Sequence, residues 1–335
     1  MPDSLSDHEI RPDDLRDIEL KLLKEDLSVL RKNILVEINC PACSRRKFSL
    51  MFTKYGFNFV VCEMCGTVFI NPRPSSDSLE VFYTNSKYIE FWNKIFRDTE
   101  KIRKEKIFKP RIELVKKIFK KNKIQNCNKL IEVGSGHGWF CELAKKQQLA
   151  QEIVAIEPSP LFANVCRKIK GIQVIQSTIE KYVQRSHHEL NVDVIVNFEL
   201  IAHLFNPKSF IKSCYEILQK NGLLILSTPN FYGFDIQILK EKSDYISPNF
   251  LNYFNPNSIT ILLNSIGFRN IEVITPGLMD IHIILNKIKS RELKVDNYPF
   301  LNLVMKQNKK EFLDDFQELL QKHKMSSHMV VSAIK

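Results

Sequence analysis

The sequence predicts an α/β protein built on a doubly wound, mostly parallel seven-stranded sheet, with a cysteine-bearing ribbon at its N-terminal side and helical lid insertions. Three observations carry this expectation. Short apolar runs alternate with helical periodicity from residue 129 onward, two Cys-x-x-Cys pairs stand eighteen residues apart, and a glycine loop directly follows the first apolar run. With 335 residues, of which 44% are hydrophobic and 26% charged, the chain has enough apolar surface for a sizeable core, which excludes a disordered protein. No apolar run approaches the ~20 residues that cross a bilayer. An acidic start (Asp3, Asp7, Glu9, Asp13, Asp14) has no apolar segment behind a basic head, so no secretory leader and a cytoplasmic protein are expected.

The elements follow in chain order. Residues 1–36 form the first segment, an amphipathic helix over 13–34. Its expected apolar face is Leu15, Ile18, Leu22 and Val29, with Leu23, Leu27, Leu30 and Ile34 beside it, and Arg31 and Lys32 near its positive-seeking end. Residues 37–74 read as short strands and turns around Cys40-Pro-Ala-Cys43 and Cys62-Glu-Met-Cys65. Two such knuckles joined by a hairpin bring four thiolates together, and four thiolates leave no open coordination position. A structural Zn²⁺ that supplies the ribbon's folding energy is therefore expected. Iron is the other metal these thiolates accept. Without a surrounding thioredoxin-like βαβ pattern, a redox role for either pair is disfavoured.

Residues 75–127 form a basic helical connector anchored by Phe82, Tyr83, Phe91, Trp92, Phe96, Phe108 and Phe119, with a break or kink at Pro110. Between Lys101 and Lys123 eleven Lys/Arg face only Glu105 and Glu113, so much of the formal net charge of +11 is local. A solvated helix face and a phosphate-facing patch are both consistent with that run.

From residue 128 the expected strands are 129–133, 152–156, 172–175, 192–196, 223–227, 270–274 and 328–334, interleaved with helices after Trp139 and Pro160 and near 208–218 and 256–265. Apolar strands alternating with helices imply a parallel sheet covered on both faces. Two stretches, 231–255 and 278–325, are too long for ordinary connectors. They leave the edge where such sheets bind ligands and are read as lid insertions, the second holding a helix over 309–322.

The site chemistry centres on Glu132-Val-Gly134-Ser135-Gly136-His137-Gly138, at a strand-to-helix turn where glycines admit close backbone approach and the helix N-terminus offers free N–H groups. Its GxGxG spacing differs from the GxGxxG of dinucleotide folds, which disfavours a dehydrogenase. The next strand ends in Ala155-Ile156-Glu157-Pro158, an acid positioned to accept from ribose hydroxyls.

On these motifs the chain resembles the class I S-adenosylmethionine-dependent methyltransferases. Residues 192–230, VDVIVNFELIAHLFNPKSFIKSCYEILQKNGLLILSTPN, look like the fourth and fifth strands of the ubiquinone-type subgroup. The cysteine ribbon, Asn71-Pro72-Arg73-Pro74, the Phe82-Tyr83 pair and the pieces at 252–256, 274–277 and 326–329 are similar to bacterial zinc-ribbon methyltransferases, a group associated with capsule, O-antigen and other surface glycans or nucleotide-linked sugars. The resemblance implies S-adenosylmethionine as cofactor. Gly134, Ser135, Gly136 and Gly138 would cradle it, Glu132 would shape the loop, Glu157 with Pro158 would meet the ribose, and Ser177, Thr178 and Ile179 the adenine. Asn197, Phe198 and Glu199 would border the methyl-transfer centre. One departure stands out: the subgroup's Glu-His-Leu is Ala202-His203-Leu204 here.

The catalytic candidates are His203, as a base titrating near neutrality, with Glu199 and Tyr253; Tyr232, Tyr245, His282 and His328 form a second tier, and His137 is expected to pack over the cofactor. The expected activity is methyl transfer to a small acceptor, a sugar, nucleotide-linked sugar or phosphorylated precursor of a surface glycan. An RNA methyltransferase, drawing on ribbon and basic helices, and a non-catalytic zinc-containing scaffold are the alternatives. Oligomeric state is not encoded in any motif found.

Overall fold

The computed structural model describes residues 7–10, 15–31, 34–185, 191–296, 298–307 and 309–335. Asp3, Asp13, Asp14 and Lys32, read above for charge, lie outside them.

After a helical turn, α1 (Asp7–Ile10), comes α2 (Arg16–Arg31). The buried face of α2 is Leu23, Leu27 and Leu30, while Ile18 and Val29 are exposed. This corrects the expected face: both stripes have helical spacing, and packing against the connector selected the narrower one. Asp26 fixes that packing, its carboxylate accepting from Ser86 Oγ at 2.6 Å and the Tyr88 N–H at 2.9 Å.

The ribbon comprises β1 (Leu35–Val36), the hairpin β2 (Phe48–Lys54) and β3 (Phe57–Cys62), then β4 (Val68–Ile70) and β5 (Arg73–Pro74). Tyr55 and Gly56 turn the hairpin with φ of 52° and 78°, the doubly left-handed geometry whose twist matches paired strands. The connector runs through α3 (Ser76–Asn85), α4 (Lys87–Asp98), α5 (Glu100–Arg103), a π-helical turn over Lys104–Phe108 and α6 (Lys109–Lys121). Pro110 falls in the first turn of α6, where its missing N–H costs little, and the π turn just before it takes up the irregularity.

The main sheet contains β6 (Lys129–Val133), β7 (Glu152–Ile156), β8 (Gln173–Ile175), β9 (Val192–Phe198), β10 (Leu218–Pro229), β12 (Arg269–Ile274) and β13 (His328–Ile334), in the order β12-β13-β10-β9-β6-β7-β8. Pairs from β10 through β8 are parallel, and β13 is antiparallel to both its neighbours. On one face Ile131, Ile195 and Leu224 pack beneath α10 (Pro207–Ile217), α12 (Pro256–Ile266) and the ribbon. On the other, Leu130, Val194 and Ile225 meet α6 and α7 (Trp139–Lys146). Alternate strand residues thus feed two cores, as a doubly wound sheet requires. The order reverses between β6 and β9, which opens a crevice beyond their carboxyl ends.

The two expected lid insertions differ in fate. Within 231–255, α11 (Phe234–Leu239) joins the second insertion, but β11 (Asn252–Tyr253) pairs antiparallel with β4 and completes a four-stranded sheet β11-β4-β3-β2. The end of this insertion therefore supplies a two-residue docking strand for the ribbon. The stretch 278–325 forms α13 (Asp280–Lys289), α14 (Pro299–Lys306) and α15 (Lys310–Lys322), whose Ile281, Ile284, Leu301, Val304 and Leu320 make a small core with Leu239 of α11. Among the described residues no helix is long and apolar enough to cross a membrane.

Candidate functional site

At the crevice the chain leaves β6 through three glycines with φ of +74°, +53° and +72° (Gly134, Gly136 and Gly138), a left-handed run that side-chain-bearing residues resist. A Cβ at Gly134 would meet Leu200 at 2.9 Å and one at Gly138 would meet Cys166 Sγ at 2.9 Å, whereas nothing lies within 4 Å of a Cβ at Gly136. The loop is thus packed at its two ends and open in its middle. The Gly136 N–H donates to Glu157 Oε2 at 2.8 Å and the Ser159 N–H to Glu157 Oε1 at 2.9 Å, so the acid at the end of β7 is locked onto the loop with further lone pairs free to accept. Burial raises the pKa of Glu157, opposed by those two N–H bonds. Glu132, within β6, is 3% exposed; desolvation pushes its carboxyl up to about 8, against a Cys141 thiol bond of 3.0 Å and the charge of Arg111.

These groups fit an adenosyl cofactor: an open glycine cradle, a strand-end carboxylate, and the Ser177 hydroxyl in the turn after β8, buried without a protein partner. Thr178 caps the following helix α9 (Ile179–Arg185), accepting from the Lys181 N–H at 3.3 Å. Ile179, expected at the adenine, is instead 1% exposed within the core, because it begins the helix that packs on the sheet. Ser135 is buried against Cys166, and Pro158 is exposed at the mouth. His137 stacks on Trp139 at 4.6 Å between Phe162 and Phe96; desolvation lowers its pKa to about 4, so it stays neutral packing material. Asn197 is 0% exposed and lies on the same face as Ile195, with neither amide atom bonded to protein. Strand alternation puts Asn197 on the face of Ile195 and Phe198 on the opposite face, packed against Phe140.

Glu199 takes φ +55°, rare for a residue with a side chain, and its N–H is held by the Ser227 carbonyl at 3.1 Å. Its Oε1 accepts from Ser227 Oγ at 2.6 Å and His328 Nε2 at 2.8 Å, with the Arg111 guanidinium 4.0 Å away. Desolvation favours its protonation, yet His328, Arg111 and Ser227 outweigh that and hold it down to about 2. Arg111 itself lies over the rings of Phe108 and Phe198 at 5.0 and 4.9 Å. Many neighbours in the basic run are spent on carboxylates, Lys104 on Glu142, Lys106 on Glu9, Lys109 on Glu105 and Lys121 on Glu272, which makes that run chiefly a paired, solvated face. Sequence reasoning missed the contact of Arg111 with Glu199 because one arginine looks like any other in a run of eleven basic residues.

His203 ends the 3₁₀ turn Ile201–His203 after β9. Its Nδ1 is 2.7 Å from the Asn249 carbonyl, which makes Nδ1–H the donor and leaves Nε2 as the acceptor. The ring stacks on Phe250 at 4.4 Å, and burial lowers its pKa against the Asn249 bond and the charge of Glu199. Tyr83, of the Phe-Tyr pair, edges against it and donates to the Asn249 carbonyl at 3.2 Å. Ala202 is 1% exposed and its carbonyl accepts the Leu251 N–H at 2.8 Å, so a carboxylate in its place would be a buried charge. Tyr253 is not at the crevice. It is 1% exposed in β11, its hydroxyl accepting from the Ser247 N–H and bonding the Ser247 carbonyl at 2.8 Å, which corrects its assignment as a catalyst.

The four ribbon cysteines converge, their Sγ atoms all within 4.8 Å of one another, with Cys40–Cys65 and Cys43–Cys62 each 3.5 Å apart. A tetrahedral zinc with Zn–S of about 2.3 Å separates sulfurs by about 3.8 Å. Knuckle bonds from Ser44 N–H to the Cys40 carbonyl and Gly66 N–H to the Cys62 carbonyl, both 2.9 Å, shape the turns, so the donor set fits a structural tetrathiolate metal. Beside it Arg73, 0% exposed, donates to the Ile70, Phe205 and Leu251 carbonyls and to Asn252 Oδ1 at 3.0–3.1 Å. Asn255 Nδ2 donates to the Cys65 carbonyl at 3.0 Å. The ribbon is therefore bonded directly to the segment that holds His203.

A family model described as a methyltransferase domain matches residues 99–273, just over half of the chain. A probable S-adenosylmethionine-dependent methyltransferase of Mycobacterium tuberculosis (strain CDC 1551 / Oshkosh) is 28% identical over 140 residues, 42% of this chain and 48% of that protein. A ubiquinone biosynthesis O-methyltransferase of Histophilus somni is 32% identical over 107 residues, 30% of this chain and 45% of that protein. The chain thus spans about half the length of the curated relatives it matches. Among solved structures, the plantazolicin methyltransferase BamL, in complex with a triazolic desmethylPZN analog and SAH, shares the fold. It aligns with a TM-score of 0.50 and 14% identity, covering 77% of this chain and 94% of that one.

Proposed function

Because the chain belongs to the methyltransferase domain family, we propose that it transfers a methyl group from S-adenosylmethionine to a small carbohydrate or phosphorylated acceptor, as in surface-glycan assembly. The observation that carries this reading is the glycine loop, open at Gly136 and locked to Glu157 at the switch point of the sheet. Bound there, the cofactor would supply an electrophilic sulfonium methyl. The chain's own part is binding and orientation: Gly134, Gly136 and Gly138 shape the cradle, Glu157 accepts from the ribose, and Phe198 with the aromatic helices excludes water. A base is needed only where the acceptor must lose a proton, and His203 Nε2 is one acceptor at the crevice for it. The polar rim of Tyr83, His203 and Arg111 supports a hydroxylated or anionic acceptor, and the ribbon's resemblance supports a nucleotide-linked sugar.

The test is calorimetric titration of the zinc-loaded protein with S-adenosylhomocysteine. The expected result is about micromolar binding that Glu157→Ala weakens by tenfold or more, about 1.4 kcal/mol. A folded, metal-loaded sample that binds none would refute the reading and favour a scaffold. Tight, steeply salt-dependent RNA binding would redirect it to an RNA acceptor.

A further inference from the structure

We propose that His328, held by Glu199, is the general base that takes the acceptor's proton, and that Glu199 is the positioning residue acting through it. The proposal rests on the methyl-transfer reading and assigns its proton. His328 opens β13 opposite Pro229, at the carboxyl end of β10, and its side chain is 34% exposed. The residue before it is pinned at both its backbone groups: the Ser327 N–H donates to Asp280 Oδ1 at 2.7 Å, and the Ser327 carbonyl accepts from the Asn230 N–H at 2.7 Å. The Nε2···Glu199 Oε1 contact of 2.8 Å assigns Nε2–H as the donor and leaves Nδ1 as the basic atom. A carboxylate fixing the tautomer of an imidazole and stabilising its cation is the arrangement that makes histidine a base in hydrolytic triads. Ser227 Oγ and the left-handed backbone at Glu199 keep that carboxylate in place.

His203 differs in the decisive respect. Its Nδ1–H goes to a neutral carbonyl and its ring is packed on Phe250, so protonating it is opposed by burial without a contacting anion. The charged and titratable groups around His328 are Glu199, Arg111 behind that carboxylate, His203 on the same carboxylate's field, and, past Ser327, the buried pair Asp235 and Asp280. In the step, an acceptor lone pair forms the bond to the methyl carbon, the departing sulfur keeps the C–S pair, and the acceptor's proton goes to His328 Nδ1.

The experiment compares zinc-loaded wild type, His328→Gln, Glu199→Gln and His203→Gln. It uses nucleoside-diphosphate sugars as acceptors with radiolabelled S-adenosylmethionine, and S-adenosylhomocysteine binding as the control. For His328→Gln the expected results are binding within threefold of wild type, a kcat at least about 100-fold lower and loss of the ascending limb of the kcat–pH profile. Glu199→Gln is expected to lower kcat by about tenfold or more while leaving the acceptor KM and S-adenosylhomocysteine binding within threefold of wild type. A His328→Gln enzyme within threefold of wild-type kcat, or one that keeps the limb while His203→Gln loses it, would overturn the proposal. If wild type binds S-adenosylhomocysteine but methylates none of these sugars, diethyl pyrocarbonate decides. Carbethoxylation of His328 at least tenfold faster than of packed His137, read by peptide mapping, upholds an open Nδ1, and an unreactive His328 overturns it. Absence of S-adenosylhomocysteine binding in wild type overturns the underlying reading instead.

Discussion

Replacing Arg73 by Met tests whether the ribbon is bonded into the catalytic half or merely rests on it. Arg73 is 0% exposed and makes hydrogen bonds to Ile70, Phe205 and Leu251 carbonyls and Asn252 Oδ1, at 3.1, 3.1, 3.0 and 3.0 Å. The Leu251 carbonyl also receives the Ile70 N–H, so the Phe205 carbonyl and Asn252 Oδ1 are the acceptors that rely most on the arginine. Stranding two buried acceptors at about 1–3 kcal/mol each gives about 2–6 kcal/mol. Against this stands the relief of a desolvated guanidinium, whose pKa burial has already pulled down to about 9. Met preserves most of the apolar volume, so the net expectation is a loss of about 3 kcal/mol. At roughly 2 °C per kcal/mol for a chain of this size, Tm falls by about 6 °C in calorimetry of the zinc-loaded protein. Amide exchange should quicken at 245–255 and 201–205, while the glycine loop keeps its protection. An Arg73→Met protein within 1 kcal/mol of wild type, with unchanged exchange in 245–255, would refute the idea that Arg73 couples ribbon to crevice.

Gly136→Ala should fold with a penalty of about 1 kcal/mol for its left-handed φ, because its Cβ meets open space, yet lose at least tenfold in S-adenosylhomocysteine affinity by calorimetry; unchanged affinity would place the ligand elsewhere. Glu132, with its carboxyl raised from 4.5 to about 8, binds its proton more tightly folded than unfolded, so its contribution to stability is present below pH 4.5 and declines as pH rises toward 8. Glu132→Gln should therefore gain on wild type between pH 5 and 8 in urea titrations of the cofactor-free protein, and a pH-independent difference would contradict the assignment. Elemental analysis should find one zinc per chain, and Cys62→Ser should lose it and unfold the ribbon, since structural zinc supplies about 10–16 kcal/mol in small ribbons. A metal-free protein with undiminished thermal stability would remove the metal from the account.

Much of the sheet was legible because strands buried on both faces read as continuous apolar runs: 129–133 and 152–156 coincide with β6 and β7. The cysteine knuckles and glycine loop were legible for a different reason, that their geometry demands particular residues at fixed spacing. The α2 face was misread because Leu22 and Leu23 are neighbours and either can head a helical stripe, a choice made by what the helix meets. Tyr253 misled in the same way, as an aromatic whose strand turned out to pair with β4.

By itself the sequence determined the local chemistry: a parallel sheet, a four-thiolate ribbon, a glycine cradle and the acid that follows it. Period, turn geometry and ligand spacing act over a few residues and survive in the linear order. Only the tertiary structure decided which distant groups meet. Glu199 finds His328 across 129 positions and Arg73 finds Asn252 across 179, contacts no periodicity encodes. They follow from strand order and register, which the chain sets when two faces of one sheet are buried at once.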